Sequence, residues 1–76
     1  MGCNEMFAKR IKELRESRGL TTRQLGAELS IGNNTISQYE TCKRTPDINM
    51  VKLFADYFNV SCDYLAGMTD NPERMR

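Results

Sequence analysis

The chain has 76 residues, 39% of them apolar and 28% charged, with a net charge of +1. That length fits one small domain with a single modest core, and no apolar run approaches the roughly 18 residues that a membrane helix needs. The three cysteines are widely spaced and histidine is absent, which excludes the usual zinc patterns and Cys–His nucleophile pairs.

In chain order, the opening "MGCNEM" resembles a myristoylation site, but Met6 stands where Ser or Thr is required. No basic region followed by an apolar stretch marks a secretory signal. The sequons "NNT" and "NVS" then read as coincidences, and the three cysteines are expected as reduced thiols in a cytoplasm. A first helix is predicted from about Glu5 to Arg18, where Phe7, Ile11 and Leu14, continued by Arg18, keep the i, i+4, i+7 spacing of one buried face. Gly19 ends it as a left-handed cap. Thr21 caps a second helix, and Gln24 three residues on completes a capping box. "SIG" makes a turn. A third helix is predicted from about Asn33 to Thr41, burying Ile36 and Tyr39, followed by the basic loop "CKRTP". Asp47 caps a fourth helix, with Val51, Phe54, Ala55 and Phe58 on its inner stripe. Ser61 caps a short fifth helix carrying Leu65, which ends at Gly67, and residues 68–76 are expected as a flexible tail. None of these helices is long enough to stand alone in water. An all-α, compact five-helix domain over residues 1–67 follows.

Charge is spread unevenly. Residues 1–45 hold eight Lys or Arg against five acidic residues, a balance of +3, and residues 46–76 hold three against five, a balance of −2. A near-neutral total argues against strong nonspecific nucleic-acid binding, yet phosphate contact requires only one basic face.

The segment from Thr22 to Thr41 carries the most specific pattern. Leu25, Leu29, Ile31, Ile36 and Tyr39 are apolar, and Gly26 follows the first leucine. Two helices joined by a three-residue turn cross steeply. The closest approach falls at Gly26, where a side chain larger than Ala would force the backbones apart. Asn33, Asn34, Ser37, Gln38 and Thr41 are left on the outward face. Asparagine is a poor residue for a helix interior, but at the start of a helix its amide is free to donate and accept.

This pattern resembles the helix-turn-helix of the Cro and phage-repressor (XRE) family, at about residues 22–41. The resemblance extends from Arg10 to about Gly67 through "RIKELRESRGLTTRQL", "TISQYE" and "TPDINMVKLFADYFNVSCDYLAG". It implies a third helix lying in the major groove of double-stranded DNA, with its first residues reading bases. Asn33, Asn34 and Gln38 match those positions, and Asn or Gln pairs bidentately with adenine N6 and N7. Ser37 is a weaker base contact. By the same resemblance Thr21, Thr22, Thr35, Thr41, Lys43 and Arg44 are expected at phosphates, with Arg10 as a further phosphate candidate. Arg15 and Glu40 match a pair that is often salt-bridged between the first and third helices. The chain departs from the family pattern at Ser30 and Cys42, where glycine is usual, at Gly32, where a Ser or Thr cap is usual, and at Thr22, where glutamine is frequent. A left-handed Cys42 would carry about 1 kcal/mol of strain.

The function implied is a sequence-specific transcriptional regulator of phage or prophage type, binding a palindromic operator as a homodimer in the cytoplasm. The expected dimer surface is the last two helices, because Tyr57, Val60, Cys62, Tyr64, Leu65 and Met68 exceed what so small a core needs. The competing reading is a protein-interaction module, such as an antitoxin or repressor antagonist, with DNA binding secondary. An enzyme is not expected, for lack of histidine, a glycine-rich phosphate loop or a carboxylate pair. No cofactor, metal or membrane partner is implied.

Overall fold

The computed structural model describes residues 5–73. Five α-helices follow in chain order: α1 (Glu5–Ser17), α2 (Thr22–Leu29), α3 (Asn33–Glu40), α4 (Ile48–Phe58) and α5 (Cys62–Ala66). Among the described residues there is no strand, and no helix is long and apolar enough to cross a membrane.

Local chemistry starts the helices. The Gln24 amide donates to Thr21 Oγ1 at 3.0 Å, and the Thr21 amide donates back to Gln24 Oε1 at 2.9 Å. Asp47 accepts from the Met50 amide at 2.9 Å, and Ser61 from the Tyr64 amide at 3.0 Å. The start of α3 differs: its N-cap is Gly32, and no side chain caps it.

One device ends all five. After each helix a single residue turns left-handed, and the amides around it fold back onto the last carbonyls. Gly19 and Gly67 do this with positive φ at no steric penalty, while Ser30, Cys42 and Asn59 do it with φ of 60°, 62° and 58°. The amide just beyond reaches back five residues, Leu20 to Arg15 at 3.1 Å, Ile31 to Gly26 at 2.9 Å, Lys43 to Gln38 at 2.8 Å, Val60 to Ala55 at 3.0 Å and Met68 to Asp63 at 2.9 Å. Leu20, Ile31 and Val60, which follow their left-handed residues, are thereby turned onto the core.

That core is built around an aromatic triangle. Phe7 of α1, Tyr39 of α3 and Phe54 of α4 meet edge to face with ring centroids 5.5–6.1 Å apart. Ile11, Leu25, Ile36 and Leu65 are completely buried around it, each contributing about 1.5–3 kcal/mol. In this arrangement α1 is the spine, touching α3 on one side and α5 on the other, while α2 packs on α3 and α4 on α5.

Three sequence expectations are corrected by this packing. Val60 and Leu65, assigned to a dimer surface, lie inside the protomer at 5% and 0% exposure. The fold-back after α4 carries Val60 inward, and α5 points Leu65 at the spine. The chain after Gly67 does not leave the body: the Ser61 amide donates to the Pro72 carbonyl at 3.0 Å, so residues 69–72 return along α5. Cys62 is a free thiol; Cys3 lies outside the described residues, as do residues 74–76 of the expected tail.

Candidate nucleic-acid interface

The interface is set by how closely α2 and α3 cross. Leu25 and Leu29 of α2 face Ile36 and Tyr39 of α3, all four buried, with Ile31 half-buried in the turn. At Gly26 the approach is tighter than the sequence suggests. Even a methyl group there would sit 2.6 Å from the Ile31 carbonyl oxygen and 3.3 Å from the Asn33 nitrogen. The Gly26 carbonyl also accepts from both the Ser30 and Ile31 amides. One glycine thus fixes the turn and places the first residue of α3 against α2.

With Ile36 and Tyr39 inward, the opposite face of α3 is open. Asn33, Asn34, Ser37 and Gln38 are all exposed, and Thr35 is half-buried at the flank. Asn34 and Gln38 are four residues apart, as are Asn33 and Ser37, so the two pairs form adjacent rows on one surface. No side chain in this set is charged. Its chemistry is therefore directional hydrogen bonding by amides and a hydroxyl, which suits base edges better than phosphates.

The far end of α3 is held by an ion pair. Arg15 Nε donates to Glu40 Oε2 at 2.7 Å and Arg15 Nη2 to Glu40 Oε1 at 3.0 Å, while Nη1 donates to the Leu20 carbonyl at 2.7 Å. Both side chains are largely shielded, at 12% and 7% exposure. The hydrogen bonding of Arg15 to the Glu40 carboxylate raises the Arg15 pKa above its ordinary value against the opposing effect of burial. Every guanidinium edge is therefore bound, and Arg15 acts on α3 rather than on a ligand.

Groups suited to phosphate flank the amide face. Thr21, Lys43 and Arg44 are exposed and Thr22 is half-buried. The Thr21 hydroxyl oxygen accepts within the capping box, which leaves its proton to donate outward at the N-terminus of α2. Thr41 is exposed, but its hydroxyl donates to the Ser37 carbonyl at 2.8 Å, so it meets a phosphate only after rotating. Arg23, which sequence reasoning passed over, lies exposed in the first turn of α2. Its position one residue beyond Thr22 was the available signal.

Arg10 is placed elsewhere, and the expectation of phosphate contact is corrected. It is 7% exposed. Its guanidinium donates to the Tyr64 carbonyl at 2.5 Å, the Thr69 carbonyl at 2.6 Å and Asp70 Oδ1 at 2.8 Å, and it lies 4.1 Å from the centre of the Tyr64 ring. A cation so enclosed faces inward and does not stand where a phosphate could reach it. Arg18 is similarly engaged: it donates to the Phe58 carbonyl at 3.2 Å and stacks over Tyr57 and Phe58. Of the six residues expected at a dimer surface, Tyr57, Cys62 and Tyr64 are half-buried, and only Met68, at 78% exposure, stands clear of the protomer. Among the described residues, Ile48 at the start of α4 is the other large apolar side chain so exposed, at 66%.

Comparison with known proteins follows this geometry. Residues 11–65 match the model of a helix-turn-helix family. The HTH-type transcriptional regulator ImmR of Bacillus subtilis (strain 168) is 42% identical over 61 residues, covering 80% of this chain and 48% of that protein. The uncharacterized HTH-type transcriptional regulator YobD of the same organism is 31% identical over 68 residues, 90% of this chain and 61% of that protein. The HTH-type transcriptional activator BcrR of Enterococcus faecalis is 30% identical over 59 residues, 78% of this chain and 29% of that protein. The chain therefore spans about half the length of the first of these relatives and less than two thirds of the second.

Proposed function

Because the chain belongs to the Cro/phage-repressor (XRE) family of helix-turn-helix proteins, we propose that it is a sequence-specific regulator of transcription that reads double-stranded DNA with α3. The reading is supported above all by the four uncharged side chains, Asn33, Asn34, Ser37 and Gln38, that face outward together while the rest of α3 is locked to α1 and α2. Asn33, Asn34 and Gln38 contact bases in the major groove. Thr21, Thr22, Thr35, Lys43 and Arg44 grip the flanking phosphates, and Arg23 is added to them. Arg10 is removed from the set by its burial.

A single domain of this kind covers about 600–1,000 Å² of DNA, which is thin for operator affinity. Two copies on a palindrome, in the manner of a phage-type repressor, double that footprint, with half-site centres about 34 Å apart. Among the described residues, the exposed Met68 and Ile48 are the large apolar groups available for contact between copies.

The test is selection of binding sites from random duplexes, followed by affinity measurement across a salt series. The expected result is an inverted repeat with an adenine or thymine in each arm, and affinity that falls steeply with salt. Loss of Asn33, Asn34 and Gln38 together with no change in operator affinity would overturn the assignment of α3. A flat salt dependence beside tight binding of a partner protein would point to an interaction module instead.

A further inference from the structure

The segment after α5 is tied down at two places remote from each other along the chain. The Thr69 carbonyl and the Asp70 carboxylate meet Arg10 of α1, which also takes the Tyr64 carbonyl at the end of α5. The Pro72 carbonyl accepts the amide of Ser61, the N-cap of that same helix. Between these ties the chain reverses at Gly67, where φ is +84° and an added Cβ would lie 2.7 Å from Met6 of α1. Positive φ and close approach each require glycine there. Residues 67–72 thus run back past α5 from its last turn to its first.

From this arrangement we infer that Thr69–Pro72 is a strap, latched on Arg10, which holds α5 closed and which opens as a unit with α5 independently of α2 and α3. Helix α5 has five residues, too few to persist without help. Arg10 is buried, at 7% exposure, and a buried cation requires acceptors. With the strap gone, Arg10 keeps a single carbonyl and must turn toward water; with Arg10 gone, the strap loses its inner anchor. Asp70 is fully exposed, so its ion pair contributes little, and the two carbonyls carry the latch. The recognition half of the domain is attached to α1 by Arg15, on a different flank of the spine, so latch release leaves it in place.

Native-state hydrogen exchange of the full chain tests the inference. In Arg10→Met the amides of Ser61, Leu65, Gly67 and Met68 should exchange about tenfold faster or more, while those of Leu25, Ile36 and Thr41 keep their rates. If Arg10→Met does not fold, the variant Gly67→Ala, whose added Cβ would strike Met6 and strain the reversal into the strap, is read the same way. Unchanged rates at Ser61 and Met68 in a folded variant would overturn the strap. Equal acceleration at all seven amides would do the same, since it would mean that Arg10 supports the whole domain and no separable unit.

Discussion

Arg15 and Glu40 meet through two nearly parallel hydrogen bonds, of 2.7 and 3.0 Å, and join the spine of the domain to the end of α3. A shielded pair of this kind is weak evidence of net stabilisation, but removing one member leaves an uncompensated charge. Glu40→Ala should therefore destabilise the domain by about 2–4 kcal/mol in urea denaturation. Arg15→Lys should also destabilise, because an ammonium cannot make both bonds. The double variant Arg15→Met, Glu40→Leu should lose much less than the sum of its parts. Arg15 is a base whose pKa is raised on folding. Its stabilisation is fully present below the ordinary guanidinium range and lost only above it, so titration of Arg15 should contribute no slope to stability between neutrality and pH 10.

Gly26→Ala should be among the most damaging single-methyl additions available in this chain. The new Cβ meets backbone atoms of Ile31 and Asn33, which cannot rotate aside. Thermal unfolding should register a loss of about 1–3 kcal/mol. Amide chemical shifts should move at residues 31–34 first, and operator affinity should fall further than stability alone accounts for.

Ser30→Gly should stabilise. At φ 60° and ψ 36° serine pays a Cβ penalty that glycine avoids, less the extra entropy of glycine in the unfolded chain. The net expectation is a gain of about 0.5–1 kcal/mol by chemical denaturation. Asn59→Gly, at nearly the same backbone angles, should gain less, because asparagine tolerates this region better than serine. Equal gains at both sites would mean that strain at Ser30 is not what limits the turn.

Substitutions in α3 and in the loop after it should divide by kind. Asn34→Ala should weaken operator binding by about 1–3 kcal/mol and leave random DNA nearly unaffected. Lys43→Ala should weaken both together and reduce the salt slope by about one. Fluorescence anisotropy with the two duplexes separates these outcomes.

What was legible in the chain was what local chemistry decides. Thr21 with Gln24, Asp47 and Ser61 mark helix starts through contacts three residues long, and Gly19 and Gly67 mark ends through a conformation that glycine adopts freely. The outward set on α3 was legible because Ile36 and Tyr39 claim the opposite face. Arg10 was not legible, since its partners lie 54–60 residues away and its neighbours in α1, Lys9 and Lys12, do stay exposed. Val60 misled for a related reason. Surplus apolar residues look like a surface until the left-handed turn at Asn59 is known, and that turn folds valine inward. The closeness at Gly26 was visible as a small residue at a crossing, but its severity depends on the path of the Ile31 carbonyl, which no side-chain pattern encodes.

The absence of charge on the outward face of α3 carries its own consequence for how such a protein behaves as ionic conditions change. In the proposed complex, counterions would respond to the cations at the rim, Arg23, Lys43 and Arg44, and those cations would meet every duplex alike. Raising salt should then weaken binding to correct and incorrect sites in near parallel. Discrimination between them would hold steady while occupancy drops, so that fidelity and grip are set by separate parts of one small surface.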